Sequence, residues 1–226
     1  MNGRTQAVWQ DNILSDVLTV DIGVPQGSLM GPLLFNIFVN DMFKSVTCKM
    51  DAYADDSTLT SCGSTAQIIS SDLTTNCGSI NVWMAQNQMV LNSDKTHLMV
   101  LGTSQKTRSM SNTRVSMANT TLTQKSTEKL LGCYIDQNLK WKSHICELKS
   151  KLKKRLACLS QLKYISKSST RKMVANGVFN SVLSYCMPVW GGCDKEDLDS
   201  LQILQNRAAQ LVVRLPPRTN RDILFN

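Results

Sequence analysis

A switch of hydrophobic period near residue 138 divides this 226-residue chain into two kinds of structure. Downstream of it, Trp141, Ile145, Leu148, Leu152, Leu156, Leu159 and Leu162 recur at steps of three and four, which stacks them on one face of a single helix. Lys142, Lys149, Lys151, Lys153, Lys154, Arg155 and Lys163 mostly occupy its other sides. Two more helices are expected at about 168–185 and 194–213. The second opens at Asp194 with Glu196 and Asp197 in its first turn, where the helix dipole favours acids, and Pro216-Pro217 ends it.

Upstream the pattern is mixed. The residues to Asp21 alternate loosely and read as one or two strands joined by a turn at Gln10–Asn12, and a Gly/Pro-punctuated loop runs from Gly23 to Gly31. The stretch after Pro32 is apolar on nearly every side and reads as a buried helix. Residues 50–61 read as a hairpin with Ala54-Asp55-Asp56 at its tip, and residues 64–86 as a helix weakened by Cys77-Gly78. Short strands follow at about 97–101, 113–118, 121–124 and 129–136. The whole is an α+β chain: helices packed on an antiparallel sheet over 1–138, then an all-helical part over 139–226.

Charge divides in a similar way. Residues 1–100 carry net −5 and residues 101–226 net +13, for +8 in total. An acidic half joined to a strongly basic one suits a metal or catalytic region attached to a polyanion-binding region, although solvated surface lysines give the same count. The eight cysteines contain no C-x-x-C pair and keep no zinc-ligand spacing with His97 or His144, so they read as free thiols of a reducing compartment and the histidines as structural. No apolar run is long enough to span a bilayer, and the first residues lack the character of a signal peptide. The expectation is a soluble intracellular protein, nuclear or cytoplasmic, with no membrane partner; its oligomeric state is open.

The chemistry is concentrated in two places. Tyr53-Ala54-Asp55-Asp56 lies between two β-favouring runs, so its carboxylates sit together on a tight turn. Adjacent acids repel unless divalent cations bind them, which is how nucleotidyl-transfer sites hold paired Mg²⁺ ions; a solvated turn also uses Asp-Asp. About thirty residues earlier, Gly23 to Phe35 combines a Gly/Pro loop with a helix start, a device that lets backbone approach a nucleotide closely and that also serves as a plain connection.

GVPQGSLMGPLLFNIFVNDM followed by YADDSTL resembles the reverse transcriptases of non-LTR retrotransposons of the jockey or chicken-repeat kind, and more distantly those of group II introns. Asn2 to Val8 resembles the N-R-x-Q-x-V strand of that family, and Leu91 to Thr96 its L-N-x-x-K-T motif. Leu130 to Asp136 with Leu139, Trp141, His144 and Ile145 resembles the F-L-G-x-x-x-D…L-x-W-x-x-H-I passage from palm to thumb. Similarity continues through Tyr185, Pro188 to Gly191 and Leu204 to Ala208.

The resemblance implies a partial polymerase palm over 1–138 and a basic helical thumb over 139–226. It implies RNA-directed DNA polymerisation on an RNA template and DNA primer with deoxynucleoside triphosphates and Mg²⁺ (or Mn²⁺). Asp55 and Asp56 would be catalytic acids and metal ligands, with Tyr53 and Ala54 beside the primer end. Pro25, Gln26 and Gly27 would line the nucleotide and template pocket. Lys95 would lie near the triphosphate, though a surface lysine after a turn looks the same. Lys151, Lys153, Lys154 and Arg155 would face duplex phosphates, or form the solvated side of a bundle helix. Leu131 and Gly132 would belong to a primer-supporting strand.

The family's F-D-x-x-x-A-F-D strand, with a further metal-binding aspartate, and its fingers region have no counterpart here; Asp11, Asp16 and Asp21 lie in the wrong segment. The expectation is therefore a chain with little or no activity alone and with exposed apolar surface. A non-catalytic nucleic-acid-binding remnant and a helical protein-interaction module are the competing readings.

Overall fold

The computed structural model describes residues 3–20, 23, 24, 27–118, 120–164 and 167–216. Their contacts gather into two compact units, Met1–Ser93 with Thr113–Leu122 and Asp94–Asn112 with Thr123–Asn226. The architecture is mixed, helices with small strand ladders, as an α+β chain requires.

The first unit opens with nested hairpins from β1 (Arg4–Gln6), β2 (Trp9–Gln10), β3 (Ile13–Leu14) and β4 (Leu18–Val20), the inner pair β2–β3 enclosed by β1–β4. The inner turn is Asp11-Asn12, whose φ values of 50° and 63° give the primed turn that matches strand twist. Helix α1 (Gly31–Val39) starts with Pro32 in its first turn, where a missing N–H costs nothing, and Ser28 Oγ accepts the Gly31 N–H at 2.9 Å. A 3₁₀ turn (Met42–Ser45) leads to the hairpin of β5 (Lys49–Tyr53) and β6 (Asp56–Thr60). Helix α2 (Ala66–Gln86), capped by the Thr65 hydroxyl, runs unbroken through Cys77-Gly78. The chain then supplies β7 (His97–Leu98) and α3 (Ser104–Ser109) to the second unit before β8 (Ser116–Met117) pairs with β9 (Thr120–Thr121) in the first. The core gathers on α2: Leu73, Cys77, Ile80 and Trp83 are buried along one face, with Val39, Met42, Val115 and Met117 buried around it.

In the second unit β10 (Thr123–Gln124) pairs in parallel with β7, and β11 (Thr127–Leu130) forms a hairpin with β12 (Cys133–Asp136). Helix α4 (Lys142–Ser160) follows, then α5 (Ser168–Ala175), a π-helical turn (Asn176–Asn180) and α6 (Ser181–Ser184), which run on as one helical segment. Short α7 (Met187–Trp190) and long α8 (Lys195–Val213) complete it. Of the predicted stripe, Trp141, Ile145, Leu148, Leu152, Leu156 and Leu159 are buried, while the side chain of Leu162 lies outside what the structure describes; Ile145, Leu152 and Phe179 reach 0% exposure in a core shared with Cys133, Trp190, Leu201, Leu204 and Val212. Buried Arg171 donates from Nε to the Val212 carbonyl at 2.7 Å, satisfying one of the acceptors that the end of α8 leaves open.

Several expectations are corrected. Among the described residues the strands form six two-stranded ladders, one of them parallel, and no continuous antiparallel sheet. Each strand is two to five residues long and pairs with one partner among the described residues. The predicted strand over 129–136 is a hairpin, because Leu131 and Gly132 at φ 46° and 84° turn the chain between β11 and β12. Helix α1 is not buried: Leu33, Ile37 and Phe38 are exposed, since only its two ends pack inward. The helix expected at about 168–185 is present as the run from Ser168 to Ser184, ended where Tyr185 turns extended and Cys186 left-handed. Arg214, left-handed at φ 60°, ends α8 ahead of the prolines. The β11–β12 hairpin belongs to the same compact unit as α4, since β12 packs on it: Cys133 shares the helical core and the Tyr134 N–H reaches His144 Nδ1.

Candidate functional site

The β5–β6 hairpin closes through Tyr53 opposite Asp56, which leaves Ala54-Asp55 as a two-residue turn. Ala54 takes φ 53°, a strained value for a residue with a Cβ. Asp55 therefore stands at the tip and Asp56 is the first residue of β6. Directly opposed side chains share a face, so Tyr53 and Asp56 lie on the same side of the hairpin as Asp51 and Thr58. Tyr53, Asp55 and Asp56 are exposed. Asp51 is engaged by Lys49 at 3.2 Å, whereas Asp55 and Asp56 form no ion pair with a described residue. Among the described residues no three His, Cys, Asp or Glu side chains converge to hold a metal ion.

Two residues that sequence reasoning missed sit under this hairpin. Asn76 of α2, 2% exposed, accepts at Oδ1 from the Thr47 N–H (2.7 Å) and the Cys48 N–H (3.2 Å), just before β5 begins. Its Nδ2 donates to the Asp72 carboxylate at 3.0 Å and the Asp72 carbonyl at 2.8 Å, and Asp72 in turn accepts from the Ser61 hydroxyl, just after β6 ends. The signal was present: Asp72 and Asn76, four apart, flank Leu73 and Cys77 on the apolar face of α2, where unpartnered polar groups are costly. Burial first and then the nearby Asp72 carboxylate push the Cys48 thiol up, and burial first pushes Cys77 up to about 11.

Of the loop residues, Pro25 and Gln26 lie outside the described residues. Gly27 sits at φ 79° in the same unit as the hairpin, a conformation that favours glycine. Lys95 is an exposed residue of the 3₁₀ turn Ser93–Lys95; it falls in the second unit, whereas Asp55 and Asp56 fall in the first.

The basic helix α4 is set on β12 by Asp136, whose carboxylate accepts the N–H groups of Asn138 (3.2 Å), Lys140 (2.9 Å) and Trp141 (2.6 Å). This supports the left-handed Leu139 and Trp141 that reverse the chain into the helix. His144 is buried in the same corner, Nδ1 accepting from the Tyr134 N–H and Nε2 lying 3.8 Å from Cys133 Sγ. Burial first, and then the Lys151 charge, hold its imidazole below the ordinary value.

The four basic residues do not share one face. At 100° per residue Lys151, Lys154 and Arg155 form one exposed stripe, while Lys153 falls on the opposite flank beside Lys149. Lys149 is committed to Asp197 of α8 at 2.9 Å and Lys151 reaches Glu147 at 3.6 Å. Lys153, Lys154 and Arg155 make no ion pair among the described residues.

Residues 8–169 match the reverse transcriptase (RNA-dependent DNA polymerase) family. The chain is 27% identical over 212 residues to the probable RNA-directed DNA polymerase from transposon BS of Drosophila melanogaster, covering 86% of this chain and 22% of that protein. It is 24% identical over 229 residues to the RNA-directed DNA polymerase from mobile element jockey of the same species, covering 94% and 24%. The probable RNA-directed DNA polymerase from transposon X-element is 23% identical over 224 residues, with the same coverage of 94% and 24%. The chain thus spans about a quarter of the length of these curated relatives. No solved structure matches it.

Proposed function

This chain belongs to the reverse transcriptase (RNA-dependent DNA polymerase) family, and on that premise we propose that it carries the carboxylate hairpin and basic helix of a mobile-element polymerase that extends a DNA primer on an RNA template. The observation that carries the reading is the two-residue turn at Ala54-Asp55, which presents adjacent carboxylates, without an ion pair among the described residues, at the exposed end of a hairpin. In this reading residues 1–138 are palm and 139–226 thumb.

The donor set suits a hard divalent cation as two of its ligands, since Asp55 and Asp56 are exposed carboxylates without competing ion pairs among the described residues. Mg²⁺ or Mn²⁺ held there would activate the primer hydroxyl and neutralise charge on the transferring phosphoryl group. Tyr53, on the Asp56 face of the hairpin, and Ala54 would lie beside the primer end. Pro25, Gln26 and Gly27 would line the nucleotide and template pocket, and Lys95 would neutralise or protonate the departing pyrophosphate. Lys151, Lys154 and Arg155 would follow one phosphate backbone, with Lys153 available to a second strand from the other flank.

The test is primer extension on an RNA template with Mg²⁺, comparing this chain with one extended upstream to include a further aspartate strand. Extension is expected from the longer protein, with Asp55→Ala lowering it more than about 100-fold, beyond the usual cost of an outer-shell partner. Failure of both proteins to extend, with RNA still retained in a salt-sensitive way, would favour the binding-remnant reading that the basic stripe supports. Charge removal at Lys151, Lys154 and Arg155 should then flatten the logarithmic salt slope by about 0.7–0.9 per lost contact.

A further inference from the structure

We propose that Asp72 and Asn76, one turn apart on α2, are positioning residues that hold the Asp55–Asp56 hairpin at both of its ends, a role that rests on reading those carboxylates as ion ligands. The ladder of the hairpin begins at Lys49 opposite Thr60. Asn76 Oδ1 takes the two N–H groups immediately before that first pair, and Asp72 takes the hydroxyl immediately after it, while Asn76 Nδ2 ties the two acceptors together. One part-buried network, centred on buried Asn76, thus joins both strands to one helix.

This anchorage matters because the hairpin has no third strand among the described residues, and an isolated two-stranded hairpin is at best marginally stable. Five residues of strand place the turn about 17 Å from its base at ~3.3 Å per residue. A tilt of about 4° at the base therefore moves the carboxylates by about 1 Å, a misplacement able to cost about 100-fold in a reaction that depends on position. Water cannot replace the lost bonds readily, since Asn76 is fully buried.

The test follows hydrogen exchange and Mn²⁺ broadening in the NMR spectrum of this chain and four variants. Asn76→Ala is expected to speed exchange of the β5 and β6 amides at least tenfold relative to those of α2, and to weaken Mn²⁺ broadening at Asp55 and Asp56 several-fold. Ser61→Ala, which removes one bond of the network but leaves the Asp72–Asn76 hydrogen bonds of α2 in place and keeps the proposal testable if Asn76→Ala does not fold, should act in the same direction, with Ser61→Thr restoring the wild-type pattern. Ile80→Val, a buried apolar change on the same helix, should leave the ratio of hairpin to helix exchange unchanged. An equal response to Asn76→Ala and Ile80→Val, or none at the hairpin to Asn76→Ala and Ser61→Ala, overturns the clamp. Exchange that responds as expected without any Mn²⁺ broadening in the wild-type chain overturns instead the ligand reading on which the positioning role rests.

Discussion

The two units solve the same problem with unequal completeness. In the second, α4, the α5–α6 run and α8 enclose Ile145, Leu152, Phe179 and Trp190, and the β11–β12 hairpin joins that core through Cys133. In the first, α2 gathers a core, but α1 and the opening hairpins leave Trp9 67%, Ile13 71% and Ile37 64% exposed. Helices satisfy their backbone within themselves, so a few of them can close around one apolar face. Strands of two or three residues need neighbours, and where each has one partner its apolar side chains stay on the surface.

The sharpest way to break this contrast is to cut a side chain from each region. Phe179→Ala should destabilise the second unit by about 3–5 kcal/mol, the range for an aromatic removed from a closed core. Ile37→Ala should change stability by no more than about 0.5 kcal/mol, as at an exposed site. Urea unfolding with unchanged m-values would measure both. A loss above about 1 kcal/mol for Ile37→Ala would mean that α1 is covered in solution and that the contrast is false.

The same physics decides what could be read from the sequence. The stripe of α4 was legible because its seven positions select one face without reference to anything else. The β5–β6 hairpin was legible because Ala54-Asp55 interrupts two β-favouring runs. Burial of α1 was misjudged because apolarity on all sides states a demand for cover and not its presence. The single strand expected over 129–136 failed at Leu131-Gly132, where two left-handed residues outweigh β-favouring neighbours. Asp72 and Asn76 are hard to read because polar residues on an apolar face look like interruptions until their partners, 29 and 28 residues upstream in the case of Thr47 and Cys48, are known. Lys153 was grouped with its sequence neighbours, whereas helical angle separates it from them. Gly132 shows a third kind of gap: its Cα faces the Tyr185 ring, whose hydroxyl donates to the Leu131 carbonyl at 2.6 Å, a contact between residues over fifty apart.

Acid should separate the units next, with a smaller effect. His144 is buried neutral, its pKa lowered by burial and by Lys151, with Cys133 at its Nε2 and the Trp190 ring 5.9 Å away. Because the folded state resists a proton that the unfolded chain accepts near pH 6.5, this contribution to stability is present above that value and is lost as pH falls through it toward the lowered folded value. Between pH 7.5 and 5.5, denaturation of the second unit should move to lower urea, and His144→Gln should flatten the slope. An unchanged slope in the variant would show that the imidazole is already open to water and that the helical core is less closed than its buried side chains imply.

The smallest effect tests the closed part of the less complete unit. Cys77 lies on the buried face of α2 with its thiol pushed up to about 11, first by burial and then by Cys48, while Cys62 in the same unit is exposed. Only thiolate alkylates, and a rise of about two units from an ordinary thiol leaves about a hundredfold less of it at pH 8 before access is considered. Iodoacetamide at pH 8 should therefore modify Cys62 well ahead of Cys77, and raising the pH should narrow the gap if the chain stays folded. Equal rates at pH 8 would mean that α2 opens to solvent on the labelling timescale. In that case the openness of the first unit would extend from its edge strands to its interior, and the anchorage of the carboxylate hairpin to α2 would be only as durable as that opening allows.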